Sequence, residues 1–152
     1  SILGCILMTG VIGYTFGSFD LMHAGHSVFF RDCRKHCDLL FVGLHTDPST
    51  DRSSKNKPVQ TVYERYVQLI NCQWVDHVIP YETEADLINL IQTANQIDVR
   101  FLGSDYLLSS FTGKDLCVAK NIDIKYIDRH HSFSSSELRN RVGNHYVESW
   151  TE

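Results

Sequence analysis

The sequence predicts a single doubly wound α/β domain, a parallel sheet covered by helices on both faces. Three observations predict it. Short apolar runs alternate with amphipathic helical stretches along the whole chain. One run, Leu39-Leu40-Phe41-Val42, is apolar at consecutive positions, as a strand buried on both sides requires. The 152 residues carry no internal repeat, low-complexity tract or break in composition, so one domain is expected. A chain of this length buries roughly 70% of the surface that its unfolded form exposes and needs no staples.

Composition excludes several classes. Hydrophobic residues make up 43% and charged residues 21%, which rules out disorder. Fourteen basic against eighteen acidic residues leave a net charge of -4, which argues against a nucleic-acid partner. No apolar run reaches membrane-spanning length, so no membrane insertion is expected. Ser1 to Met8 is apolar but short and has no basic flank, which argues against a secretory signal. The domain is therefore expected over residues 9–148, with 1–8 as a leading stretch outside it and Met8 as a candidate start. Five cysteines are an odd number without framework spacing, which points to a reducing, cytoplasmic setting.

Val11 to Phe16 reads as the first strand, ending at Gly17. A helix follows from Ala24 to Cys37, with Phe29, Cys33 and Cys37 on one face, the two cysteines as core residues. Asp38 to Leu44 is the second strand. The polar stretch from His45 to Gln60 is too long for an ordinary connection, and loops of that length are usually functional. Thr61 stands three residues before Glu64, a capping box that opens a helix through Cys72. Val75 to Ile79 is the third strand, closed by Pro80. Thr83 opens a helix that turns Leu87, Ile88 and Ile91 inward. Asp98 to Leu102 and Ile122 to Ile127 are the fourth and fifth strands, separated by a loop from Gly103 to Gly113 and a short helix near Leu116. The last helix begins at Ser135 or Ser136 and carries Leu138 and Val142.

Ligands of such folds bind beyond the carboxyl ends of the strands, at the switch point of the sheet. That rule selects the segments after Phe16, Leu44, Leu102 and Ile127. In the first, Gly17-Ser18-Phe19-Asp20-Leu21-Met22-His23-Ala24-Gly25-His26, the two histidines lie one turn apart at a helix start. Free N–H groups there form an anion site, and Gly17 and Gly25 let backbone approach a phosphate chain. The segment after the fifth strand is Arg129-His130-His131-Ser132-Phe133-Ser134-Ser135-Ser136, whose hydroxyls, amides and arginine suit phosphate oxygens.

His23-Ala24-Gly25-His26 resembles the His-x-Gly-His signature of the nucleotidyltransferase superfamily. Gly17-Ser18-Phe19-Asp20 resembles the Gly-Thr-Phe-Asp that precedes it in cytidylyltransferases, and residues 129–136 look like their Arg-Thr-Glu-Gly-Ile-Ser-Thr-Ser. The resemblance runs from Gly13 to Val142 and is closest to glycerol-phosphate cytidylyltransferases. His130, His131 and Ser132 depart from the motif. Ser134-Ser135-Ser136-Glu137-Leu138-Arg139 also resembles the Ile-Ser-Ser-x-x-x-Arg of adenylyltransferases, and Gly103-Ser104-Asp105-Tyr106 is as similar to heptose-phosphate adenylyltransferases as to cytidylyltransferases.

The resemblance implies a Rossmann-like domain with a five-stranded parallel sheet, acting on CTP and a phosphorylated alcohol, with glycerol 3-phosphate the leading acceptor. An acceptor phosphate is already ionised at neutral pH, so its attack on the α-phosphorus calls for alignment and charge stabilisation rather than a base. The resemblance places His23 and His26 on the transition-state oxygens and Arg129 and Arg139 on the triphosphate. Lys57 and Arg65 are placed on the incoming phosphate and the triphosphate tail. Gly17, Ser18, Phe19, Asp20, Gly25, Asp105, Ser134, Ser135 and Ser136 are expected to line the nucleotide site, with Lys55 and Lys114 as further candidate phosphate contacts. Mg2+ is expected on the β- and γ-phosphates, held chiefly by nucleotide oxygens with few dedicated protein ligands. A homodimer is implied by the same resemblance. Two rival expectations are ATP-dependent adenylylation of a sugar phosphate and a catalytically silent nucleotide-binding module.

Overall fold

The computed structural model describes residues 10–150, with side chains through 145. The 1–8 stretch and the candidate start at Met8 lie outside the described residues. In chain order the elements are β1 (Ile12–Gly17), α1 (Ala24–Arg34), β2 (Leu39–His45), α2 (Val62–Ile70), β3 (His77–Tyr81), α3 (Glu84–Thr93), β4 (Val99–Gly103), α4 (Lys114–Ala119), β5 (Asp123–Ile127) and α5 (Ser135–Trp150). A short 3-10 turn, Ser104–Tyr106, follows β4. The five strands form one sheet of order β3-β2-β1-β4-β5, parallel throughout. The order reverses between β1 and β4, so the crossover after β1 opens over the switch point. No helix among the described residues is long and apolar enough to cross a membrane.

Three aspartates hold the amino ends of the strands in register. Asp38, Asp98 and Asp76 accept hydrogen bonds from Val11 N (2.7 Å), Ile12 N (2.7 Å) and Leu40 N (2.8 Å). Alternation then sorts the side chains onto two faces. Leu40, Val42, Leu44 and Phe101 pack with Phe30, Cys33 and Leu69 of α1 and α2. Tyr81 packs with Leu87 and Ile91 of α3 and Cys117 of α4. Gly43 is glycine for want of space, because a Cβ there would lie 2.3 Å from the Phe16 ring.

The structure departs from the expected elements in three places. α1 ends at Arg34 instead of Cys37, and Phe30 rather than Phe29 is the fully buried aromatic beside Cys33 and Cys37. The third strand is His77–Tyr81 and runs through Pro80, which pairs in register with Leu44. Pro is tolerated there because β3 is an edge strand and owes ladder bonds to one neighbour only. The capping box at Thr61 forms as expected, with Thr61 Oγ1 accepting from Glu64 N (3.2 Å) and Glu64 accepting from Thr61 N (2.7 Å). Thr61→Ala is expected to cost about 1 kcal/mol, read by thermal denaturation.

Candidate active site

The crossover from β1 to α1 is held in an unusual backbone shape. Phe19 and Leu21 both adopt left-handed conformations, with φ of 46° and 49°. Such strain in side-chain-bearing residues persists only where the surroundings over-determine it. Phe19 is held by its ring against Phe30 (centroids 5.1 Å apart) and edge-on to His26 (5.9 Å). The loop is also sewn to the end of the 46–60 loop. Asp20 accepts from Val59 N (2.8 Å) and Gln60 N (2.9 Å), and Gln60 Oε1 accepts from Leu21 N (2.8 Å).

Both histidines serve as the cap of α1. His23 Nδ1 accepts from Gly25 N (3.0 Å), and His26 Nδ1 accepts from His23 N (3.2 Å). An imidazole whose Nδ1 accepts carries its proton on Nε2, so both rings keep an N–H for the cavity they line. The ring centroids are 4.1 Å apart. Gly25 permits this closeness, since a Cβ there would come within 2.8 Å of the His23 ring and 3.0 Å of His131.

Electrostatics keep both rings neutral. Burial pushes His26 from 6.5 down to about 4; His23 and Arg129 act in the same direction, and Asp20 opposes them. Burial also lowers His23, helped by Arg129 and His131. Between pH 6.5 and about 4 the unfolded chain binds a proton at His26 that the folded chain refuses. Stability therefore rises with pH across that window and falls as pH drops through it. The melting temperature is expected to decline more steeply from pH 7 to pH 4 in the wild type than in His26→Gln, a variant that keeps a side-chain acceptor at this capping position. Equal slopes would contradict a buried neutral imidazole.

Two adjoining cavities meet at His26, Phe29, Gly103 and Asp105. The smaller, of about 200 Å³, is lined by His23, Gly25, His26, Asp105, Arg129 and Ser135 among others. The first and last crossovers thus converge on one space. Arg129 is exposed there, its Nη2 donating to Phe133 O (2.9 Å), and Ser135 Oγ lies 3.5 Å from Asp20 O. The larger cavity, of about 380 Å³, is lined by Gly17, Ser18, Phe19, His26, Lys55 and Asp105 together with residues of β3, β4 and the loop after β4.

Other expected site residues stand elsewhere. Arg65 is 1% exposed and gives its guanidinium hydrogens to four carbonyls, those of Ser18, His45, Thr46 and Gln60. Four of its five N–H groups serve the scaffold, so it braces the strand ends and lines neither cavity. The Asp20 carboxylate is likewise committed to the loop amides and to Arg139, whose Nη2 lies 3.5 Å away. Arg139 therefore faces Asp20 and lines neither cavity. Ser134 caps α5 by accepting from Glu137 N (3.0 Å), while Ser136 is exposed and outside both cavities. Lys57 is exposed and apart from both, whereas Lys55 lines the larger cavity. Lys114 lies 5.8 Å over the Phe111 ring and lines neither cavity.

Sequence reasoning missed the far wall of the larger cavity, formed by His45, Arg52, Tyr81, Glu84, Arg100 and Phe111. Arg100 left a signal, being a charge within the apolar run Val99-Arg100-Phe101-Leu102. It also missed His131, whose ring stacks on Phe133 (5.1 Å) and whose Nδ1 is buried without a partner among the described residues.

Comparison with known proteins places the chain in a family. The family model described as Cytidylyltransferase-like matches residues 14–141. "Bifunctional protein HldE" of Nitrobacter hamburgensis is 35% identical over 133 residues, covering 87% of this chain and 27% of that protein. "Probable ethanolamine-phosphate cytidylyltransferase" of Encephalitozoon cuniculi is 29% identical over 144 residues, covering 90% of this chain and 41% of that protein. The chain thus spans about a quarter to two fifths of the length of these relatives. Among solved structures, the lipopolysaccharide core biosynthesis protein from Thermoplasma volcanium superposes with a TM-score of 0.61 at 23% identity, covering 82% of this chain and 99% of that one. That likeness shows the fold. The family match spans most of the chain, from β1 into α5, and on it the chain belongs to the cytidylyltransferase-like family of nucleotidyltransferases.

Proposed function

We propose that this chain transfers CMP from CTP to the phosphate of a phosphorylated alcohol and releases diphosphate. One observation carries the proposal. Two neutral imidazoles, each with Nδ1 engaged by the helix cap and Nε2–H left over, share a cavity with the Arg129 guanidinium. An acceptor phosphate oxygen attacks the α-phosphorus, the bond to the bridging oxygen breaks, and that oxygen leaves with the electron pair as part of diphosphate. The acceptor is ionised beforehand, so no proton is abstracted. His23 and His26 would donate Nε2–H to the α-phosphate oxygens as charge builds on them. Arg129 would hold the triphosphate, and the positive dipole end of α1 would add to its field. Lys55 and Arg52, both exposed at the larger cavity, suit the acceptor's phosphate. Glycerol 3-phosphate is the first acceptor of this class to try.

Among the described residues no three His, Cys, Asp or Glu side chains converge as a metal set. An Mg2+ ion would be held mainly by the nucleotide's own phosphate oxygens.

A second reading replaces CTP by ATP. It is favoured by His130-His131-Ser132, which stand where cytidylyltransferases have Thr-Glu-Gly. Diphosphate release with each nucleoside triphosphate against a panel of phosphorylated alcohols and sugars separates the readings. CTP-dependent, acceptor-dependent release is expected. Release with ATP alone would move the assignment to adenylyl transfer, and binding without turnover would make the chain a nucleotide-binding module.

A further inference from the structure

Arg100 is the buried group that the transfer chemistry does not use. It lies in the interior strand β4, is 5% exposed, and has its guanidinium carbon 5.0 Å from the Phe16 ring centroid and 4.7 Å from that of Phe111. Nη1 donates to Thr112 O, while Nε is buried with no hydrogen-bond partner among the described residues. Among those residues no carboxylate comes within ion-pair distance of it. Glu84, an acid of the same cavity, stands 3.8 Å from Arg52 and 3.9 Å from His45 instead. The aromatic faces hold the guanidinium plane and attract its charge, but they supply no anion.

A guanidinium stays protonated at any physiological pH, and a buried charge without a counter-ion is unfavourable. Arg100 borders the 380 Å³ cavity that His26 and Lys55 also line. That cavity has three cationic side chains, Arg52, Lys55 and Arg100, against the two acids Glu84 and Asp105. Arg52 and Lys55 are exposed and suit the transferable phosphate, whereas buried Arg100 has no ion-pair partner and only the more distant Glu84 and the Cys117 and Tyr81 side chains to favour its charge.

We infer that the larger cavity takes an acceptor with a second acidic group, a carboxylate or a second phosphate, that pairs with Arg100 while the transferable phosphate lies toward Lys55 and His26. This deepens the proposed transfer reaction and rests on it for the acceptor's role. A site built around a buried fork of N–H donors rejects analogues that leave the fork empty, so a neutral polyol phosphate is the poorer ligand.

Calorimetric titration, with and without CTP, tests this using 3-phosphoglycerate, a bisphosphorylated polyol, glycerol 3-phosphate and ethanolamine phosphate. The wild-type chain is expected to bind the better of the two acidic compounds about 10- to 100-fold more tightly than glycerol 3-phosphate. Which of the two binds tells carboxylate from phosphate. Arg100→Gln, which keeps an N–H for Thr112 O, is expected to abolish that preference. Arg100→Lys, which keeps the charge without the fork, is expected to retain part of it.

The inference is overturned if the wild type binds glycerol 3-phosphate or ethanolamine phosphate as tightly as the acidic compounds, or binds none of them. It is equally overturned if a folded Arg100→Gln keeps the preference, because Arg100 then only braces the loop at Thr112. Should that variant not fold, the wild-type ranking decides. Absence of turnover with every triphosphate would sink the transfer reaction and leave this ranking standing.

Discussion

Replacing His23 by Asn is expected to lower turnover by about 10²- to 10³-fold while leaving the melting temperature almost unchanged. The two effects separate because His23 has two jobs on different ring atoms. Its Nδ1 accepts from Gly25 N at the start of α1, a task that the Asn side-chain oxygen performs as well as any residue. Its Nε2–H is the donor left over on a ring that lines the cavity, and Asn has no donor that reaches so far. His23→Ala removes both functions and should add about 1 kcal/mol of destabilisation to the same loss of rate. Diphosphate release and thermal denaturation on the three proteins test this. A loss of stability in His23→Asn equal to that in His23→Ala would mean that Asn fails to cap. Full activity in His23→Asn would remove the imidazole from the chemistry.

The second large effect is one of stability. Arg65→Met is expected to destabilise the chain by about 3 to 5 kcal/mol, because four carbonyl oxygens lose their donor at once in a buried place. For a chain of this size the melting temperature should fall on the order of 10 °C. Those carbonyls belong to Ser18 after β1, His45 and Thr46 at the end of β2, and Gln60 before α2. Arg65 therefore holds together the loops that form the site's rim. Lys offers one point of charge where the guanidinium offers a planar fork, so Arg65→Lys should recover little. A phosphate ligand would behave in the opposite way. Its loss would raise the KM for a substrate and leave the melting temperature unmoved.

The contrast between Arg65 and His23 shows what can be read from sequence. The element pattern was legible because alternation and capping are local. Thr61 and Glu64 announce their helix within four residues, and Leu39 to Val42 announce a buried strand. His23 and His26 were legible for the same reason, as their spacing and the flanking glycines already define a helix start. The scaffold partners of Arg65 were not legible, because a charge in a loop-proximal helix looks the same whether it meets a phosphate or four carbonyls. Its partners lie as far as 47 residues away and are fixed only by the fold. Pro80 misled for a related reason, since whether β3 lies at an edge is a property of sheet order. Arg100 shows the reverse case. Its charge broke the apolar run openly, but what it faces depends on Phe16 of β1 and Phe111 of the loop after β4, which only the fold brings together.

The meeting of the first and last crossovers around one polyphosphate is tested most directly by a crystal structure of the chain with CTP bound. The α-phosphate oxygens should lie within about 3 Å of Nε2 of His23 and His26, with the triphosphate against Arg129. A nucleotide seated away from the two imidazoles, or with Arg129 turned from its phosphates, would contradict the proposed chemistry.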